Sequence, residues 1–199
     1  MRSLVIVLAA CGPMYKQPAP TSGPPGARAE PMRAPDPVGG TVDPAPAPTP
    51  AAAPNGVAEQ FVAAHNRVRA KHCAGPLTWS SKLASYAQHW ADTLKAKGCA
   101  FGHSGGSYGE NLADGTEGVL DPEATVAMWY DEIKLYKFPD GGFSMQTGHF
   151  TQLVWTDTKQ VGCGHVECKG NDIYVCNYDP PGNYDGEYAT HVLPTSCKK

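Results

Sequence analysis

An α+β domain closed by three disulfides is what residues 57–199 predict, and three observations carry that prediction. Apolar residues recur at helical spacing before residue 135. After residue 139 the texture changes to short segments punctuated by turn residues. Six cysteines, Cys73, Cys99, Cys163, Cys168, Cys176 and Cys197, are spread through the same stretch. About 140 residues suffice for one hydrophobic core, and all four tryptophans fall here.

The first helix is predicted from Val57 to about Lys71, with Val57, Phe61, Ala64 and Val68 at helical spacing. A second follows Gly75-Pro76-Leu77-Thr78-Trp79. Ser80 caps it, and Leu83, Tyr86, Ala87, Trp90, Ala91 and Leu94 form its apolar face. Lys95 and Lys97 precede Gly98, a C-terminal stop. A third helix opens with Asp121-Pro122, a cap followed by proline at the first helical position. Its apolar face takes in Val126, Trp129 or Tyr130, and Ile133. Gln160–Cys168 and Asp172–Tyr178 read as strands joined by the turn Lys169-Gly170-Asn171. Glu187–Leu193 reads as another strand. Phe150–Trp155 is open between a buried strand and a short helix.

Ahead of this domain lie two segments of different character. Residues 1–11 combine Arg2, an apolar run from Leu4 to Ala10, and Cys11. The run is too short to span a membrane, which takes about 20 apolar residues, and reads as an export signal. Leu8-Ala9-Ala10-Cys11 is similar to the lipobox of bacterial lipoproteins, in which the cysteine is acylated. A lipidated Cys11 makes the membrane a partner and places the chain at the cell envelope or surface; if the cell is Gram-negative, Gly12 after the cysteine resembles an outer-membrane address. Without lipidation, the expected location is extracellular. Residues 12–56 hold 13 of the 19 prolines and almost no bulky apolar side chain. Nothing there offsets the entropy of ordering, so it reads as a disordered, semi-stiff tether.

Composition excludes several functions. A formal charge of −3 and the absence of a basic run interleaved with aromatics argue against nucleic-acid binding. Four residues separate Cys163 from Cys168, and no second short-spaced pair completes a zinc knuckle. An even cysteine count in an exported chain implies three bridges, and six cysteines allow 15 pairings.

Seven stretches together resemble the CAP superfamily, the SCP/PR-1-like proteins, and plant pathogenesis-related protein 1 in particular. They are His65-Asn66-Arg67-Val68-Arg69, Gly75-Pro76-Leu77-Thr78-Trp79, Tyr86-Ala87-Gln88, Tyr108-Gly109-Glu110-Asn111-Leu112, Trp129-Tyr130-Asp131-Glu132-Ile133, the run from Gly148 to Trp155, and the run from Ile173 to Asn183. The resemblance covers residues 57–199. It implies a three-layer α-β-α sandwich on a central antiparallel sheet, and it turns Phe150–Trp155 toward helix. It also implies the bridges Cys99–Cys168 and Cys163–Cys176, leaving Cys73–Cys197. The family's cleft of two histidines and two acids maps onto His103, Glu110, Glu132 and His149, with His103 and Glu110 expected in a glycine-rich loop.

That cleft admits several readings. His103 and His149 suit zinc or another divalent cation, with the glutamates holding the ring tautomers. No cofactor is required by the sequence. A metal-assisted peptidase or envelope hydrolase is the alternative, though there is no His-Glu-x-x-His helix and no Gly-x-Ser-x-Gly elbow. Ser104 and Ser107 are the nearest hydroxyls in sequence. A hydrogen-bond network that only fixes the loops is the third reading. The leading expectation is a monomeric, non-catalytic binding module for a lipid, sterol, peptide or glycan. Tyr130, Tyr136, Phe143 and the Phe138–Met145 loop are candidates to line an apolar groove. His65 and Asn66 are expected to organise packing of the first helix, Arg69 to make a structural hydrogen bond or salt bridge, and the Asp179–Asn183 turn, which follows Asn177 and Tyr178, to shape the C-terminal loop. His89 is expected at the surface, and His72, His165 and His191 lack an evident partner set.

Overall fold

The computed structural model of the protein describes residues 56–198. Cys11 and the tether up to residue 55 lie outside the described residues. In chain order the elements are α1 (Gly56–Lys71), β1 (Thr78–Trp79), α2 (Ser81–Ala96), β2 (Gly109–Thr116), α3 (Pro122–Asp131), a 3-10 turn (Glu132–Leu135), α4 (Gly148–Val154), β3 (Gln160–Cys168), β4 (Asn171–Asp179) and α5 (Tyr188–His191).

Four strands form one sheet in the order β1-β3-β4-β2. β3 and β4 are an antiparallel hairpin in which Cys163 faces Cys176. Its two-residue loop places Lys169 and Gly170 both at positive φ, the backbone that matches strand twist in tight hairpins. β2 runs antiparallel along the other side of β4, with Glu110 opposite Asn177. β1 adds two residues parallel to β3, so the sheet is not purely antiparallel.

Two apolar layers sandwich the sheet. On one face Ala87, Ala91 and Leu94 of α2 pack on Leu112, Val166, Ile173 and Val175. The helix approaches closely because Gly162 and Gly164 lack side chains. A Cβ on either would collide with the α2 backbone at Ala84 or Gln88. On the other face Phe61, Ala64 and Val68 of α1, Trp129 of α3 and Phe150 and Leu153 of α4 pack on Val161, Tyr174, Cys176 and Tyr178. Fully burying a side chain such as Phe61 or Leu153 contributes roughly 1.5–3 kcal/mol. The three-layer α-β-α sandwich is therefore present, with α2 alone on one side.

Caps stop and start the helices where the sequence places them. Ser80 accepts from the Leu83 amide at 3.3 Å and Asp121 from the Ala124 amide at 2.7 Å. Gly98 follows α2 at φ +75°. Three expectations are corrected. Glu187–Leu193 is no strand: Tyr188–His191 is the short helix α5, with Tyr188 and Val192 buried one turn apart. Val57 is 47% exposed, and Ala58 takes its place on the buried face of α1. Glu110 lies within β2, not in a loop.

The cysteines form Cys73–Cys197, Cys99–Cys168 and Cys163–Cys176. The first closes a separation of 124 residues and ties the end of α1 to the C-terminus. Arg69, fully buried near the end of α1, donates to the carbonyls of Gly75, Leu153, Trp155 and Thr158. Asn66 pairs with both the amide and the carbonyl of Leu77. Among the described residues, no strand lies beside the outer edge of β3 beyond β1. There Gln88 of α2 accepts from the His165 amide at 3.0 Å and donates to the His165 carbonyl at 2.9 Å. Among the described residues no helix is long and apolar enough to cross a membrane.

Candidate functional site

Two histidine–glutamate pairs stand out, one joining the segment at His103 to β2 and the other joining the 3-10 turn after α3 to α4. Glu110 is the second residue of β2. Its Oε1 accepts from His103 Nδ1 and from the Ser104 amide, both at 2.8 Å. Its Oε2 accepts from Asn177 Nδ2 at 3.3 Å, and Asn177 also donates to the Gly109 carbonyl at 3.2 Å. Burial alone would push the Glu110 carboxyl up. The bonds from His103 and from the hydroxyl and amide of Ser104 outweigh it and hold the carboxyl below its usual value.

Glu132 starts the 3-10 turn after α3 and reaches the N-terminus of α4. Its Oε1 accepts from His149 Nδ1 at 2.6 Å, and its Oε2 accepts from the backbone amides of His149 and Phe150 at 3.0 Å each. The carboxylate thus satisfies two of the free amides at a helix start. The His149 ring is fully buried and stacks on Trp129 at 6.2 Å. Its Nε2 is buried with no hydrogen-bond partner among the described residues.

Asn111 connects the two pairs. It follows Glu110 in β2 and donates to the His149 carbonyl at 3.1 Å and to the Tyr178 hydroxyl at 3.2 Å. The sequence alone assigns no role to Asn111 or to Asn177. The signal that finds them is strand register: Glu110 faces Asn177, and Asn111 faces Cys176. Gly109 is needed here, since a Cβ would strike the side chains of Gln152 and Tyr178. Each histidine is therefore joined to its own glutamate. Among the described residues no group of three or more His, Cys, Asp or Glu is placed to hold a metal ion.

The other histidines have partners that their spacing does not reveal. His65 makes contacts at 2.7 Å with the Phe61 carbonyl and 3.0 Å with the Tyr178 hydroxyl. Burial drives its pKa down to about 4; the bond to Phe61 opposes this and Arg69 adds to it. His165 Nε2 meets Asp172 Oδ1 at 2.7 Å and the ring stacks on Tyr174 at 4.4 Å. His191 Nδ1 meets the Thr156 hydroxyl at 2.7 Å, with Glu187 and Asp157 nearby. His72 bridges the Leu193 carbonyl at 2.5 Å and the Tyr130 hydroxyl at 3.1 Å. His89 is exposed. Of the residues expected to line an apolar groove, Tyr136 is buried, and Tyr130, Phe138 and Phe143 are half-buried against the core.

Known proteins share both the sequence and this architecture. The protein PRY2 of Saccharomyces cerevisiae is 47% identical over 135 residues, covering 65% of this chain and 39% of the yeast protein. The chain thus spans about two fifths of that relative. Pathogenesis-related protein 1A of Nicotiana tabacum is 44% identical over 132 residues, covering 65% of this chain and 78% of the tobacco protein. Among solved structures, the hookworm platelet inhibitor superposes with a TM-score of 0.58 at 22% identity, covering 68% of this chain and 75% of that one. That similarity speaks to the fold. Residues 62–178 match the cysteine-rich secretory protein family, CAP. With that match and the tobacco relative, the chain belongs to the CAP family.

Proposed function

We propose that the chain is an exported, non-catalytic CAP-domain binding module, held at a membrane surface by an acylated Cys11. Its ligand is drawn from lipids or sterols, peptides or glycans. The observation that supports this reading is the commitment of both carboxylates. Glu132 receives two backbone amides besides the His149 ring, and Glu110 receives the Ser104 amide and the Asn177 amide group besides the His103 ring. A general base needs an acceptor free to take a proton from substrate. These acceptors instead fasten α4 and the 103–109 segment to the sheet. Ser104 directs its amide and hydroxyl to Glu110, which argues against its service as an activated nucleophile. The hydrolase alternative is not favoured.

We infer that the donor set would take a divalent cation through two ligands at most, His103 and His149, since no larger ligand group is present among the described residues. Nδ1 of each ring is engaged by a carboxylate, the arrangement that orients a metal-binding imidazole. His149 Nε2 is the buried nitrogen left over. His103 and His149 would hold zinc or another divalent ion, with water completing the shell. When bound, such an ion supplies positive charge to which an anionic ligand group can attach. The histidines hold the ligand-side nitrogens, and the glutamates keep the ring tautomers fixed.

Two measurements on the untagged protein test the proposal. Peptide and glycan panels are expected to show no turnover above buffer. Turnover that disappears in the His103→Ala/His149→Ala double variant would overturn the non-catalytic reading. Zinc calorimetry is expected to show weak binding lost in either single variant. Binding that both variants retain would place the cation elsewhere. Mass spectrometry of the purified protein reads out any co-purifying lipid and the acyl group on Cys11.

A further inference from the structure

Among the described histidines, His65, His72 and the exposed His89 have no carboxylate within 4 Å. His103, His149, His165 and His191 each have one within 4 Å. His65 and His72 are bonded to carbonyls and tyrosine hydroxyls instead. His65 lies in the centre of the core between α1 and β4. His72 lies at the end of α1, where three segments meet. Its ring stacks on Phe138 at 6.2 Å and meets Phe150 of α4 edge-on at 5.4 Å. It also touches the C-terminal segment at the Leu193 carbonyl and α3 at the Tyr130 hydroxyl.

We propose that His72 is an acid-sensitive latch: neutral, it holds the aromatic loop 136–143 against α1 and the C-terminal segment, and on taking up a proton it releases that loop. In the neutral ring Nδ1–H donates to Leu193 and Nε2 accepts from the Tyr130 hydroxyl. Protonation adds a second donor, and the Tyr130 hydroxyl must turn to accept. The new charge is buried, because His72 is fully shielded from solvent. The titratable and charged groups that face it are Lys71, the last residue of α1, and Tyr130 of α3. Lys71 lies 5.0 Å over the Tyr130 ring and repels the imidazolium. α4 presents Phe150, the loop presents Phe138, and the C-terminal segment presents a carbonyl. Attraction between the imidazolium and the Phe138 face opposes release, but the rings are at the outer limit for such a contact. The net direction agrees: burial lowers the His72 pKa, the Leu193 bond opposes this, and Lys71 adds to it.

Covalent structure decides which side gives way. Leu193 stands four residues before Cys197, which is bonded to Cys73 beside the latch. That side cannot leave. The loop has no disulfide. It is held by the Tyr136, Phe138 and Phe150 aromatic cluster and by the Gly141 amide donating to the Tyr136 hydroxyl at 3.3 Å. The proposal does not depend on what the CAP domain binds.

The test is an NMR titration of the full exported chain from pH 7.5 to 4.5, following amides and histidine ring carbons. Amides of residues 137–143 are expected to shift with the midpoint of the His72 ring, below the ordinary histidine value of about 6.5. Amides of β3 and β4 are expected to stay in place over that step. His72→Gln keeps an amide donor for Leu193 but does not titrate, and is expected to lose the loop transition. Should it fail to fold, the wild-type midpoints decide alone. A loop that does not respond overturns the proposal. So does a loop midpoint that follows another histidine, a loop change shared with the hairpin, or a transition that survives in the variant.

Discussion

Arg69 and His65 show how a polar residue earns a place inside this core. Arg69 is a buried cation whose partners are four carbonyls from three separate segments, and burial lowers its pKa to about 10. Truncation leaves those carbonyls unpaired and a cavity behind. Arg69→Ala is expected to cost roughly 3–5 kcal/mol, read from denaturant unfolding. His65 makes stability depend on pH. Its folded pKa is about 4, below the unfolded value of 6.5, so the unfolded chain binds more protons between these limits. Its contribution is complete above pH 6.5, falls as pH drops toward 4, and amounts to roughly 3 kcal/mol across that window. Unfolding midpoints at pH 7 and pH 4 should differ accordingly, and His65→Gln should flatten the slope if it folds. From the sequence His65 is expected to organise packing and Arg69 to make a structural hydrogen bond or salt bridge, and both are held by buried hydrogen bonds. Their partners were not legible, because Tyr178 and Thr158 are distant in the chain.

The elements differ in how plainly their residues announce them. α1, α2 and α3 each have one apolar face, and α2 and α3 also carry a capping residue, so there period and boundary agree. α4 offers neither clue, since all seven of its residues are buried. A helix buried all round has no amphipathic period, which is why Phe150–Trp155 was open between strand and helix until the resemblance turned it. β2 escaped notice because Gly109, Glu110, Asn111, Asp114 and Gly115 are poor strand formers, and only pairing with β4 fixes it. α5 was misread because Tyr188 and Val192 are four apart. That spacing satisfies an alternating strand and a single helical turn equally. The same sensitivity to contact governs the α2 face. Gly164→Ala places a methyl into the α2 backbone at Gln88, and neither partner can yield without moving an element. A loss of about 1–3 kcal/mol is expected in thermal unfolding, with Gly162→Ala similar and Gly170→Ala free of that clash.

Across the whole molecule the disulfides set the hierarchy of stability. Their separations are 124, 69 and 13 residues. Loop-closure entropy ranks their contributions at about 5, 4 and 3 kcal/mol. Paired Cys→Ser variants should lose stability in that order in denaturant titrations, with Cys73/Cys197 the most affected. Membership of the CAP family and the layered fold were both legible from motif order. The separate anchoring of the two histidine–glutamate pairs was not. It depends on Asn111 and Asn177 lying on opposite faces of a sheet whose β2 strand is visible only once folded.

The side-chain amide of Gln88, paired with both backbone groups of His165, has a colloidal consequence. An open strand edge is a template on which a second chain can grow, and proteins crowded on a surface meet such edges often. Here the ladder position that a foreign strand would take first is already occupied by a group that cannot propagate it. One glutamine on a neighbouring helix thus takes up the backbone groups of His165 that an added strand would need.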